Sequence, residues 1–210
     1  MVNVELLRSL GKEDLQTMDI GERDMEVLRF IADEGLLGFT FEGLKRSLGA
    51  HPETLSRILD RLEDRQVLEK TQHGYLVTQK GRDVVDVKQL ASSDARVTLL
   101  RTLLPHVENS REAIASLRGR WFGPLRWLGY SEDEKGTNMK WVTEDGGIQV
   151  DAIFSDGELT IEGRIKEGKD LTDAIKASHQ LVGHISRIYP AGSGQRIAYY
   201  GLRNSFFIPN

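Results

Sequence analysis

Cysteine is absent from the chain, which excludes disulfide bonds, thiolate metal sites and cysteine nucleophiles. Long hydrophobic runs are absent too, because no apolar stretch approaches the roughly 18 residues that a membrane-spanning helix requires. The first residues, MVNVELLRSLGKEDL, lack the basic segment and the long apolar segment of a signal peptide. We therefore expect a cytoplasmic protein with no membrane association.

An overall excess of positive charge, a frequent mark of nucleic-acid binding, is also lacking, since the net charge is −4. Residues 40–82 are the exception, with eight Lys and Arg against six Asp and Glu, whereas residues 1–39 have four against nine. Residues 91–210 have fifteen of each sign. If the chain binds DNA, we expect the affinity to come from residues 40–82, to be modest and to fall steeply with salt.

Motifs of catalysis and of cofactor binding are missing as well. His179 and His184 are five residues apart, which places them about 140° from each other on a helix and makes them a poor metal pair. The stretch AGSGQR at 191–196 lacks the strand–loop–helix context and the lysine of a phosphate loop. Three carboxylates of the second half are expected at exposed strand positions: Asp151, Glu158 and Glu162. We expect no enzyme activity, no metal and no cofactor.

What the first half does contain is a series of amphipathic helices with short turns. Periodic apolar residues predict a helix between Gly21 and Gly35, a second one in FEGLKRSLG capped by Thr40, and a third that begins at Pro52. The third has a complete core-facing stripe: Leu55, Ile58, Leu59 and Leu62. The runs VLEK and YLVT, joined by TQHG, predict a hairpin after it, and QKGRDVVDVKQLAS predicts a return to helix.

The order of these elements resembles the winged helix-turn-helix of MarR/ArsR-like transcription regulators over about residues 20–90. In this resemblance TLSRILDRLE corresponds to the recognition helix and VLEK…GYLVTQKGR to the wing. Gln66 departs from the pattern, because the family usually has a glycine at the end of the recognition helix. The resemblance implies a DNA-binding regulator whose recognition helix lies in the major groove. The residues expected to contact DNA are Lys45, Arg46, Thr54, Ser56, Arg57, Arg61, Gln72, His73 and Lys80.

The second half predicts two helices, over about 92–104 and 109–119, and then strands. The helix over 92–104 rests on the apolar stripe Val97, Leu100, Leu103 and Leu104. Aromatic residues in RWFGPLRWLGY suggest either a ligand cage or ordinary core packing, and packing is favoured. MKWVTEDGGIQVDAIFSDGELTIEGRI predicts a three-stranded meander with one buried face, and DLTDAIKASHQLVGHISRIY predicts a helix packed on it.

The expected fold class is α+β, with an N-terminal winged helix-turn-helix domain at 1–90, a helical linker or dimerisation segment at 91–120, and an α+β domain at 121–210 for dimerisation or effector sensing. The expected function is that of a homodimeric transcription regulator that binds double-stranded DNA, with a possible small-molecule effector. Two alternatives remain. The first half could be a protein–protein interaction module, or the second half could be an enzyme or small-molecule binder, which a pocket lined by Trp121, Trp127 or Trp141 would favour.

Overall fold

The computed structural model describes residues 21–84, 96–104, 110–134 and 136–188, without the side chains of 84 and 110–113. The sequence also predicts a short helix in NVELLRSLG at residues 3–11 and one or two strands in QRIAYYG and SFFIP. These segments and the loop at 191–196 lie outside the described residues. The helices are α1 Glu22–Asp33, α2 Phe41–Leu48, α3 Pro52–Asp64, α4 Gln79–Val84, α5 Ser110–Leu117 and α6 Leu171–Ile188. The strands are β1 Gly38–Phe39, β2 Leu68–Thr71, β3 Gly74–Val77, β4 Arg96–Leu103, β5 Leu125–Asp133, β6 Gly136–Thr143, β7 Ile148–Ser155 and β8 Glu158–Ile165. Among the described residues, no helix has the length and apolar character needed to cross a membrane.

The strands form a single antiparallel sheet of eight in the order β2-β3-β1-β5-β6-β7-β8-β4. The predicted fold class is therefore wrong. It assigned the hairpin to an N-terminal winged helix-turn-helix domain and the later strands to a separate α+β domain, whereas all of them belong to one sheet. The prediction failed because strand β1 is only two residues long and gives no periodic signal in the sequence.

Strand β1 joins the hairpin to the later strands through two short ladders. Gly38 and Phe39 pair with Leu76 and Tyr75 of β3 on one side and with residues of β5 on the other. A Cβ atom at Gly129 of β5 would lie 2.2 Å from the carbonyl oxygen of Gly38, so only glycine permits this approach.

The chain divides into two compact units, Met1–Ser93 with Trp127–Glu132, and Asp94–Arg126 with Asp133–Asn210. In the first unit α1, α2 and α3 confirm the three helices predicted before the hairpin, and α4 confirms the helix predicted after it as far as Val84. Val27, Leu28 and Ile31 of α1 are buried, as is the predicted stripe of α3. Gln66 ends α3 with a φ of 61°, the left-handed conformation that costs a non-glycine residue about 1 kcal/mol.

Strand β4 contradicts the prediction of a helix over 92–104. Residues 96–103 pair with β8, and the register shifts between Thr98 and Leu100, so that Leu99 and Leu100 are both buried. Leu103, expected on the buried stripe of the helix, is 62% exposed. The apolar spacing fitted a helical period by coincidence, and pairing with β8 determines the observed structure.

The meander of β6, β7 and β8 is confirmed, as is helix α6. Helix α6 buries Ala174, Ala177, Leu181, Val182 and Ile185. Ile175, also expected to pack on the sheet, is exposed.

The expectation that this meander has one buried face is wrong. Lys140 and Asp151, which face each other across β6 and β7, are 1% and 4% exposed. The Nζ atom of Lys140 donates to the Asp151 carboxylate at 2.8 Å, and Gln149 Nε2 donates to it at 2.9 Å. Burial alone would raise the pKa of Asp151, but the charge and the hydrogen bond of Lys140 lower it below its usual value. Asp151, predicted to be exposed, is thus one half of a buried ion pair.

Candidate nucleic-acid interface

Helix α3 carries three of the residues predicted to contact DNA near its N-terminus. Ser56 and Arg57 are exposed and Thr54 is partly buried. The apolar stripe beneath them is almost fully buried, with Leu55, Leu59 and Leu62 each 0% exposed. Because this stripe fixes the rotation of the helix about its axis, the polar residues between its members are directed away from the core.

The connection between α2 and α3 is short and well defined. Gly49 ends α2 in the left-handed conformation, and the amide of Ala50 donates to the carbonyl of Lys45 at 3.2 Å. Pro52 occupies the first turn of α3, where the lack of an N–H group is tolerated. The N-terminus of α3 therefore follows directly from the end of α2.

Helix α2 is held closely against strand β5 within the same unit. Thr40 Oγ1 donates to the carbonyl of Trp127 at 3.0 Å and accepts from the amide of Gly43 at 3.1 Å. A Cβ atom at Gly43 would lie 2.5 Å from the Cα atom of Leu128, so the helix cannot approach this closely with any other residue. These contacts fix the helix that carries Lys45 and Arg46.

Arg61, predicted to contact DNA, binds a carboxylate inside the unit. Its Nε atom donates to Asp24 Oδ2 at 3.0 Å, and its Nη2 atom donates to Asp24 Oδ1. Asp24 is 2% exposed, and Arg65 approaches it at 3.4 Å. The hydrogen bond from Arg61 lowers the pKa of Asp24 against the opposing effect of burial. Arg61 therefore links α3 to α1.

The other predicted cations of α2 and α3 form ion pairs nearer the surface. Arg57 binds Glu53 at 2.6 Å, and both side chains are well exposed. Glu42 binds Lys45 at 2.7 Å and Arg46 at 3.3 Å. Lys45 and Arg46 are partly buried, with side chains 27% and 14% exposed. The exposed pair of Arg57 with Glu53 stabilises the helix by only about 0.2–0.5 kcal/mol, so Arg57 can exchange partners at little cost.

The hairpin and α4 hold the remaining predicted residues. Gln72 and His73 are exposed at the bend, where Thr71 Oγ1 accepts from the amide of His73 at 3.2 Å and donates to the carbonyl of Gly74 at 3.1 Å. Lys80, also predicted to contact DNA, donates to the carbonyl of Arg65 at 2.9 Å, just beyond the end of α3. Its ammonium group thus stabilises the C-terminus of that helix.

The predictions identified the cations but not the carboxylates that bind them. The role of Glu42 could have been found, because it lies three and four residues before Lys45 and Arg46. That of Asp24 could not, because 37 residues separate it from Arg61 and only the packing of α1 on α3 brings them together.

The three tryptophans named as possible pocket residues differ in burial. Trp141 is fully buried, whereas Trp121 is 64% exposed and lines a cleft with His179 and His184. Trp127, which belongs to the first unit, is 6% exposed, as core packing predicts. No group of three or more metal-ligating side chains occurs within the described ranges.

No protein-family model matches the chain, and a search of curated proteins finds no match either.

Proposed function

We propose that the protein is a cytoplasmic transcription regulator that binds double-stranded DNA through the N-terminal half of α3. The observation that carries the proposal is the exposed group Ser56 and Arg57, with Thr54 beside it, on a helix whose opposite face is completely buried. A rigid helix of this kind can enter the major groove, which is wide enough to admit one.

The side chains of this group suit base edges and phosphates. Arg57 can bind the O6 and N7 atoms of a guanine at a specific site and a phosphate on other sequences, and Ser56 or Thr54 can donate to or accept from several bases. Lys45 and Arg46 would neutralise phosphates beside the groove, and Gln72 and His73 would contact the backbone or the minor groove. Arg61 is left out of this set because it is bound to Asp24.

The ion pairs of the interface set the expected strength of binding. Arg57, Lys45 and Arg46 must exchange Glu53 and Glu42 for phosphates, so that part of the electrostatic gain is offset by separating each pair. With three or four phosphate contacts, the slope of log K against log salt should be about −3 for a duplex. We expect affinity in the micromolar range at low salt and little binding at physiological salt.

The proposal is tested by fluorescence-anisotropy titration of a random 20-base-pair duplex at several salt concentrations. Wild type is compared with Arg57→Ala and with Arg29→Ala, a matched change at an exposed arginine of α1. Arg57→Ala should weaken binding about threefold to tenfold, the loss of about one charge-assisted contact, and make the salt slope shallower by about one unit. Arg29→Ala should match wild type.

Equal binding by wild type and Arg57→Ala would contradict the proposed interface. Absence of binding by the folded protein at low salt would contradict DNA binding altogether and favour docking to another protein. Asp60 and Asp64, which are exposed on the same helix, would suit a basic partner.

The homodimer and the effector-sensing role of the second half stay predictions. Sedimentation equilibrium of the full chain measures the first directly. A dimer is required if two recognition helices are to bind half-sites about one turn of DNA apart.

A further inference from the structure

A cleft of about 700 Å³ opens in the second unit, between α6 and the segment that connects α5 to β5. Its volume is within the range of about 300–1,000 Å³ that is usual for small-molecule sites. The residues that matter for its chemistry are Arg120, Trp121, Phe122, His179, His184 and Arg187.

The connecting segment is held rigidly against the core. Trp141 Nε1 donates to the carbonyl of Arg120 at 2.8 Å, and the ring of Trp141 packs edge-on against Phe122 with 5.7 Å between ring centroids. Phe122 and Leu125 exchange two backbone hydrogen bonds of 3.0 and 2.9 Å across a tight turn. The wall that carries Arg120, Trp121 and Phe122 is therefore already formed.

Trp121 is positioned by a neighbouring arginine rather than by burial. The guanidinium carbon of Arg126 lies 4.6 Å from the centroid of its ring, a cation–π contact. Arg126 is itself fixed, since it donates to the carbonyl of Gly123 at 2.7 Å and binds Glu144 at 2.6 Å. A single exposed tryptophan needs no explanation on a protein surface, but an ordered one on the wall of a cleft offers a flat surface for stacking.

The opposite wall of the cleft is formed by one face of α6, which leaves open space at Gly183. His179, Gly183 and Arg187 recur at intervals of four residues, and His184 lies beside them with its ring centroid 5.2 Å from that of Phe122. A glycine inside a helix costs about 1 kcal/mol relative to alanine. Among the described residues, no atom outside its two chain neighbours and the nearby backbone of α6 lies within 4 Å of the position that a Cβ at Gly183 would occupy, so packing of these residues does not require this glycine. Its effect is to widen the cleft.

The charge of the lining has one sign. Arg120 and Arg187 contribute two guanidinium groups, and none of the described residues that line the cleft has a carboxylate. Within the described part of the chain, neither arginine forms an ion pair with a carboxylate. Burial, and then repulsion from Arg120 and Arg187, lower the pKa of His184.

We propose that this cleft binds a small organic anion in which a carboxylate or a phosphate group is joined to a planar ring. The guanidinium groups of Arg120 and Arg187 would bind the anionic group through paired hydrogen bonds, and Trp121 would stack on the ring. His179 and Gln180 would donate further hydrogen bonds at the rim. The inference does not depend on DNA binding, because all these residues belong to the second unit.

Isothermal titration of the full chain with 1-naphthoate, 1-naphthyl phosphate, the neutral isostere 1-naphthamide and inorganic phosphate tests the proposal. At least one of the two ring-bearing anions should bind with a submillimolar Kd, and the better of them identifies the preferred group. The neutral amide and inorganic phosphate should each bind at least tenfold more weakly. Equal binding by the amide would overturn the role of charge, and equal binding by inorganic phosphate would overturn the role of the ring.

Three variants locate the binding. Arg120→Ala and Arg187→Ala should each weaken it tenfold or more, whereas Arg101→Ala, at an exposed arginine of β4, should leave it unchanged. Gly183→Leu should abolish binding without loss of stability, since it fills open space and removes a helical glycine. Wild-type affinity in Gly183→Leu, or no binding of either ring-bearing anion to the folded wild type at millimolar concentration, would overturn the proposal.

Discussion

The two units use their cations in different ways. On α3 of the first unit, Arg57 and Arg61 both bind carboxylates, one at the surface and one buried. In the cleft of the second unit, Arg120 and Arg187 line a cavity to which the part of the chain that the structure describes contributes no carboxylate. A count of charges favours the first region for anion binding, since residues 40–82 have a net charge of +2 and residues 91–210 have none. The existing ion pairs favour the second region instead. A cation that already has a carboxylate partner must lose that partner before it binds another anion.

The largest effect on the free energy of unfolding is expected from a substitution in an ion pair whose two charges are both buried. Lys140→Met keeps most of the side-chain volume but leaves Asp151 without its main partner. We expect a loss of about 3–5 kcal/mol in the free energy of unfolding, measured by urea denaturation. Lys140→Met combined with Asp151→Leu should recover most of this loss, because no buried charge is left uncompensated. A change of less than 1 kcal/mol in the single variant would contradict this role of the pair.

A smaller loss is expected from Arg61→Ala in the first unit. This variant leaves Asp24 buried with only the longer contact to Arg65, but the Arg61 side chain is 46% exposed. Because solvent already screens one member of the pair, we expect a loss of about 2–3 kcal/mol. Arg57→Ala, four residues earlier on the same helix, should change stability by no more than about 0.5 kcal/mol. Equal stability of Arg61→Ala and Arg57→Ala would contradict the structural role assigned to Arg61.

The difference between wild type and Arg61→Ala should also depend on pH. Since the pKa of Asp24 is lowered in the folded protein, its pairing stabilises the protein above the pKa of the unfolded chain, about 4, and this contribution disappears as pH falls through the folded pKa. The stability gap between the two proteins should therefore be full near pH 7 and narrow progressively below about pH 4. Urea denaturation at both ends of this range measures the gap. A gap that stays constant into acid would show that Arg61 acts through packing alone.

In the second unit, only a small change in stability is expected from Trp121→Ala. Because the ring is 64% exposed and touches Arg126 on one side, we expect a loss below about 1 kcal/mol. The same variant should weaken binding of the ring-bearing anion several-fold. A large loss of stability would instead assign Trp121 to the core and contradict its place in the cleft.

Local structure could be predicted from the sequence where one element contains the whole signal. The stripe of α3, the cap at Thr40 and the turns of the meander are examples, because each depends on residues within a few positions. Strand β1 and strand β4 could not be predicted, since their pairing partners lie up to about 90 residues away and their own residues give no strand pattern. The single sheet depends on strand β1, which joins the hairpin to β5, so its prediction failed with that strand.

The same limit applies to the candidate sites, where only contacts between near neighbours in the sequence could be predicted. Arg57 with Glu53 is a pair of neighbours and can be read from the sequence, whereas the pairing of Arg61 with Asp24 depends on tertiary packing. The cleft could not be predicted, because Arg120 and Arg187 are separated by 67 positions and His179 and His184 indicate no site by their spacing. The hint in the sequence was Gly183 inside an otherwise regular amphipathic helix.

The most direct test of the proposed function is amide chemical-shift mapping of the full chain titrated with a random 20-base-pair duplex at low salt. We expect the largest shifts at residues 51–57 and at 72–73, smaller shifts at 45–46, and none at the residues of the cleft. Shifts confined to other parts of the chain, or no shifts at saturating duplex, would contradict the assignment of α3 as the surface that binds DNA.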